Sequence, residues 1–263
     1  MVIIEQDKCR GCGQCVADCV ARNIDVKDNK AVVKQECLQC GHCVAICPFN
    51  AVSIPEYDME DVVECRNNEL YLDPKQFLNC VKQRRSIRDY KPQKVSEENL
   101  KLLAEAGRYT ATANNSQSNG YVFVQNEIET LKTMVWDYID KMEKSTDPII
   151  NADMKAYKSF YERKKADPED DYLFRNAPVV LFITSDRVLD AGMAAQNMEL
   201  MAVSLGMGVM FNGFLARIAD ENMDLKKWLG IEEKTIRACM LLGYSNKHYV
   251  KTAPRKKAEI IIK

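Results

Sequence analysis

The chain has 263 residues, of which 46% are hydrophobic and 29% charged, with a formal net charge of −1. That length exceeds one small domain and allows a second with a substantial core. Near-neutral charge leaves no electrostatic footprint for nucleic acid, although residues 247–257 are locally basic, and no apolar run approaches the length of a membrane span.

Eight of the 11 cysteines fall at once into two copies of C-x2-C-x2-C-x3-C. The first is Cys9, Cys12, Cys15 and Cys19; the second is Cys37, Cys40, Cys43 and Cys47, followed by Pro48. Such runs hold iron–sulfur clusters, the fourth cysteine of each completing the other run's set. The expected ligand sets for two [4Fe–4S] clusters are therefore Cys9, Cys12, Cys15 and Cys47, and Cys37, Cys40, Cys43 and Cys19. Zinc would fill four positions and leave a third evenly spaced cysteine unused in each run. A disulfide scaffold needs an oxidising compartment, and residues 1–4 carry no secretory signal before the motif begins. Gly11, Gly13 and Gly41 let the backbone curl around the sulfurs. Short apolar pieces follow each run, at 23–26 and 51–54, so the segment is an internal repeat. Residues 1–55 resemble a bacterial two-cluster ferredoxin. Cys65, Cys80 and Cys239 share no spacing and read as reduced thiols, which points to a reducing, cytoplasmic setting.

Residues 56–73 are acidic and aperiodic, and suit a linker. The expected division is a ferredoxin-like domain at 1–58, a linker at 59–73 and a larger domain at 74–263. Asp73-Pro74 reads as an N-cap with proline at the first helical position, opening a helix to about Gln83 with Phe77, Leu78 and Val81 inward. Ser96 caps another through Leu100, Leu102, Leu103 and Ala106. Residues 121–124, 179–184 and 238–242 read as buried strands, and 193–205 as a buried helix. Strands separated by helices indicate an α+β or α/β domain. Residues 146–175 are charged and aromatic, partly helical, and suit either a lid or an exposed helical excursion.

Four stations in the larger domain carry chemistry. Arg84-Arg85-Ser86-Ile87-Arg88 places three guanidinium groups and a hydroxyl where they can hold a phosphate. Residues 110–119, TATANNSQSN, offer short polar side chains to a heterocycle or polyol, though a capped loop explains them equally. LGMGVMFNGF at 205–214 permits close approach of backbone to a planar ring, while Gly206 also suits a helix C-cap. Finally, Ala253-Pro254-Arg255-Lys256-Lys257 adds cations after a strand and turn.

In this order the stations resemble the flavin-dependent nitroreductase family over residues 77–263. The implied fold is α+β: a bacterial-ferredoxin-like domain fused to a nitroreductase-like three-layer α/β/α domain. The resemblance implies that Arg84, Ser86 and Arg88, with Arg85 in the same motif, hold the phosphate and ribityl chain of FMN. It places Arg255 and Lys256 in the same cationic pocket. Thr112, Ala113, Asn115 and Gln117 match a loop that reaches FMN bound mainly by the other subunit of a homodimer. Asn212 and Gly213 match the step where a backbone N–H faces the flavin ring. The sequence departs from the family in Ser118-Asn119-Gly120-Tyr121, where Pro-Trp commonly follows the Gln, and in Asn212, where an acidic residue is frequent.

The implied activity is an FMN-dependent oxidoreductase in which two [4Fe–4S] clusters relay electrons to FMN for reduction of nitroaromatics, quinones or similar electron-poor substrates. The donor is reduced ferredoxin or NAD(P)H; no G-x-G-x-x-G fingerprint is present. The alternative is an electron-carrier module passing electrons between protein partners without a small substrate. With only His42 and His248 in the chain, no catalytic triad stands out, and no catalytic side chain is assigned.

Overall fold

The two cysteine runs fold as two copies of one device. In the computed structural model, which describes residues 1–35, 37–65 and 72–263 (without the side chains of 148–153 and 156), each run leads into a short helix. These are α1 (Gln14–Asp18) and α2 (His42–Ala45). Gly13 and Gly41 precede them with matching left-handed backbones, φ 77° and 78°, a conformation glycine adopts without steric cost. Around them lie two antiparallel pairs. β1 (Ile3–Ile4) pairs with β4 (Val52–Ser53), and β2 (Ile24–Lys27) with β3 (Lys30–Val33). Their core gathers Val2, Ile24, Ala31, Ala51, Val52 and Ile54 with Cys9, Cys15 and Cys43. Met1–Leu72 and Thr112–Ser116 form this first compact unit, and Asp73–Ala111 with Gln117–Lys263 form the second. Residues 66–71 of the expected linker lie outside the described residues.

The second unit is built on four antiparallel strands, β5 (Gly120–Val124), β6 (Val179–Thr184), β7 (Gly208–Phe211) and β8 (Ile236–Gly243), in the order β5-β6-β8-β7. Every residue of β6 is buried. Successive strand side chains point to opposite faces, so β6 and β8 divide their residues between two cores. Val180, Phe182, Cys239 and Leu241 enter one; Val179, Leu181, Ile183, Met240 and Leu242 enter the other. The first core is closed by α5 (Ile128–Glu143), α6 (Pro148–Ala166), α8 (Gly213–Glu221) and α9 (Met223–Trp228). The second is closed by α4 (Glu97–Arg108) and α7 (Val188–Ser204). Helices on both faces of one sheet give the three-layer α/β/α arrangement.

The expected caps are present. Asp73 accepts from the Gln76 amide to open α3 (Pro74–Gln83), and Ser96 accepts from Asn99 to open α4. The expected burial of α3 is not: Phe77, Leu78 and Val81 are 47%, 49% and 36% exposed, and no residue of α3 is buried. Its apolar stripe is left partly uncovered by the described residues. Within the glycine-rich segment, Gly208–Phe211 is an edge strand. A Cβ on Gly208 would lie 2.2 Å from Ile87 Cγ1, so this glycine admits the RRSIR segment alongside β7. There Ile87 N–H donates to Val209 O at 2.9 Å.

Candidate functional site

Cys9, Cys12, Cys15 and Cys47 line one small cavity in the first unit, which brings together the set expected from the crossed pairing. In the second run, Cys37 and Cys40 act electrostatically on Cys43. Among the described residues no group of three or more His, Cys, Asp or Glu converges on a single ion. Backbone amides point at the sulfurs: Ala31 to Cys9, Asn23 to Cys19 and Gln39 to Cys37 at 3.3 Å, and Ala51 to Cys47 at 3.4 Å. Asn23 and Ala51 each stand four residues beyond the sulfur they serve, so the repeat extends to its hydrogen bonds. Donation from Ala31 favours the thiolate and holds Cys9 below the usual thiol range. Burial pushes Cys43 up to about 11. Burial favours the protonated thiol at Cys15 and Cys43, and a metal binds the deprotonated form, so ligation there would release a proton.

In the second unit a cavity of about 490 Å³ lies beside the N-terminus of α8. Arg88, Asn212 and Gly213 line it together, joining two of the four stations. Its apolar wall is Phe160 and Phe214, whose rings meet edge to face at 4.9 Å, with Tyr157 against Phe214 at 5.9 Å. Tyr172, Arg175 and Arg217 also line it. The Asn212 side chain is buried, caps α8 by accepting from Leu215 N–H at 3.0 Å, and donates to Leu173 O at 2.8 Å. Its backbone N–H is spent on Cys239 O at 2.9 Å. Gly213 follows as the first residue of α8, where a backbone N–H has no intrahelical acceptor. Asn212 therefore fixes the helix end and the 171–176 turn, leaving the cavity-facing donor to its neighbour.

The remaining expected residues take other partners. Arg84 Nη1 lies 3.4 Å from Glu199 Oε1, a carboxylate on α7 that is only 2% exposed. Arg85 donates to Lys251 O and stacks on Tyr249, with its guanidinium carbon 4.9 Å from the ring centre. Ser86 bridges Val209 through its backbone, and its carbonyl accepts from Arg88 at 3.3 Å. Arg255 and Lys256 are exposed. Thr112, Ala113 and Asn115 belong to the first unit, where Asn115 Nδ2 donates to Gln39 O at 3.0 Å; Gln117, with a positive φ of 47°, belongs to the second. Tyr172, Arg175 and Arg217 carry no motif. For Tyr172 and Arg175 the signal in the sequence was only the density of aromatic and basic residues between 157 and 175; Arg217, on α8, had none.

The nitroreductase family model matches residues 81–244, and the 4Fe-4S dicluster domain model matches residues 1–48. The chain belongs to the nitroreductase family and is an oxidoreductase of that family with a 4Fe-4S dicluster segment. Among solved structures it is similar to a nitroreductase with bound FMN from Bacteroides fragilis, at 22% identity and TM-score 0.57, covering 71% of this chain and 97% of that one. A nitroreductase with bound FMN from Desulfitobacterium hafniense gives 23%, 0.57, 72% and 98%. An FMN-dependent nitroreductase from Clostridium difficile gives 19%, 0.53, 72% and 100%. At these identities the likeness carries the fold. No curated protein matches the chain. Among the described residues no helix is long and apolar enough to cross a membrane.

Proposed function

We propose that the protein binds FMN in the second unit and two [4Fe–4S] clusters in the first, and reduces flat, electron-poor acceptors such as nitroaromatics and quinones. The observation that carries this reading is the single cavity gathering Arg88, Asn212 and Gly213 against an aromatic wall. A flavin, when bound, accepts electrons singly and passes them on singly or in pairs, which suits it to one-electron donors such as clusters. The chain's own contributions are binding and electrostatics. Arg88 supplies a cation, the Gly213 amide supplies a donor to a ring edge, and Phe160 and Phe214 supply apolar surface for a planar group. Arg85 fits an anion site as well, since its Nε is shielded from solvent and without a hydrogen-bond partner among the described residues. In the first unit, eight thiols with four amide-to-sulfur donors suit cluster ligation.

The working form in this reading is a cytoplasmic homodimer. Its support is α3, an amphipathic helix whose Phe77 and Leu78 are about half exposed, together with exposed Val188, Leu189 and Phe211 on the same unit. The donor is NAD(P)H or reduced ferredoxin. Anaerobic protein should show flavin and iron–sulfur absorbance, and one of NADH, NADPH and reduced ferredoxin should bleach both. Turnover of nitro compounds and quinones should follow. Bleaching without turnover of any small acceptor would make the protein an electron carrier; absence of flavin would remove the reading altogether.

A further inference from the structure

Arg175 stands out in the cavity wall. Its backbone is left-handed (φ 59°), as is that of Asn176 (φ 55°), a conformation that side-chain-bearing residues rarely adopt and that persists only where surroundings enforce it. The enforcement comes from Asp171, whose carbonyl accepts from Arg175 N–H at 2.5 Å and whose carboxylate accepts from Asn176 N–H at 3.0 Å. Lys132 locks that carboxylate at 2.9 Å. The result places the Arg175 guanidinium carbon over Tyr172, 3.5 Å from the ring centre, and both residues line the cavity.

The charges around it are unequal in their partners. Arg217 is paired with Glu221 at 2.8 Å, and Arg163, on the other side of Tyr172, with Asp170 at 2.6 Å. Arg175 and Arg88 pair with no carboxylate among the described residues, and no carboxylate lines the cavity. The Arg175 Nε is shielded from solvent and has no hydrogen-bond partner among the described residues. A guanidinium over a ring can still turn N–H donors toward a carboxylate, and the unpartnered Nε of Arg175 is one such donor. A cation with a shielded, unpartnered Nε beside an apolar wall suits an anion. Arg88 lies on the side of the cavity formed by the RRSIR segment, which the flavin reading assigns to the cofactor.

We propose that the acceptor carries a carboxylate or a comparable anionic group next to its flat conjugated system, and that Arg175 recognises this anion. The proposal rests on the flavin reading for the identity of the reaction, while the anion site itself is testable without it. Tyr172, with Arg175 and Arg163 against its ring, is held below its usual range, by Arg175 first.

The test is calorimetric binding of benzoate and its neutral isostere benzamide to protein as purified, oxidised and without reductant, with flavin content read from the same samples. Wild-type protein should bind benzoate more tightly than benzamide. Arg175→Gln should weaken benzoate by about tenfold to a hundredfold, the loss expected for a charge-assisted contact, with benzamide binding and flavin content unchanged. Equal wild-type affinity for the two probes would overturn the proposal. So would an Arg175→Gln protein that loses flavin but keeps benzoate, because Arg175 would then serve the cofactor. Flavin-free wild-type protein that still prefers benzoate in an Arg175-dependent way would sink the flavin reading and keep the anion site. Should the variant not fold, the wild type alone decides: 4-nitrobenzoate must show a lower KM than 4-nitrobenzamide at similar kcat, and the reverse order refutes the proposal.

Discussion

Glu199 is a carboxylate in the middle of α7, 2% exposed, held by Arg84 Nη1 at 3.4 Å and Gln196 Nε2 at 3.1 Å. Removing one member of a fully buried ion pair costs about 3–5 kcal/mol, because the other charge is left without compensation. Arg84 is 33% exposed, and Gln196 stays in place, so Arg84→Ala is expected to cost about 2 kcal/mol, below that range. For a domain of this size that is roughly 4–8 °C in Tm. Both tryptophans of the chain, Trp136 and Trp228, lie in the second unit, so their fluorescence reports its unfolding and not that of the cluster unit. The measurement should use flavin-free protein, which separates the ion pair from any loss of ligand stabilisation. Combining Arg84→Ala with Glu199→Gln removes the orphaned charge and should recover at least half of the lost Tm. An unchanged Tm in the single variant, or a double variant no better than the single, would refute the reasoning.

Three further outcomes are expected. Anaerobically prepared protein should contain about eight iron atoms per chain, and Cys47→Ala should lose the cluster held with Cys9, Cys12 and Cys15 while the other remains, read by iron analysis and EPR; stoichiometric zinc in place of iron would contradict this. Arg88→Ala should lower flavin content at unchanged iron, since a cation lining the cavity is lost; full flavin retention would remove Arg88 from the cofactor site. Gly208→Val should destabilise the second unit by about 1–3 kcal/mol or more in urea, because a Cβ there meets Ile87 Cγ1 at 2.2 Å; wild-type stability would show that the RRSIR segment does not need its place beside β7.

Much of the framework was legible because its signals are local. Cysteine spacing encodes a loop around a cluster, and Asp73 and Ser96 are caps whose backbone donors lie three residues on. Residues 179–184 are apolar throughout, and a strand buried on both faces reads that way. The helix α5 was equally findable from Leu131, Val135, Ile139 and Met142 at helical spacing, all buried, but it carries no cap hydrogen bond or motif. What local pattern does not state is the partner. The apolar stripe of α3 predicts a covered face without saying that the described residues leave Phe77 and Leu78 about half exposed. The Gly206–Gly213 segment shows where glycine is needed; that Gly208 makes room for Ile87, 121 residues earlier in the chain, is a tertiary fact. Arg175 was hidden for the same reason, since its role depends on Asp171, Lys132 and Tyr172 being brought together.

The enclosure of β6 has a consequence for how the molecule opens. Its backbone is paired on both edges, to β5 and β8, and both its faces lie in apolar cores. No local fluctuation can expose amides so placed; they exchange with solvent only when the whole unit comes apart. The slowest-exchanging amides of Val180, Leu181 and Phe182 should then measure global stability directly. A ligand bound near α8 would slow them by the stabilisation RT ln(1 + L/Kd), with L the free ligand concentration, although it never touches the strand.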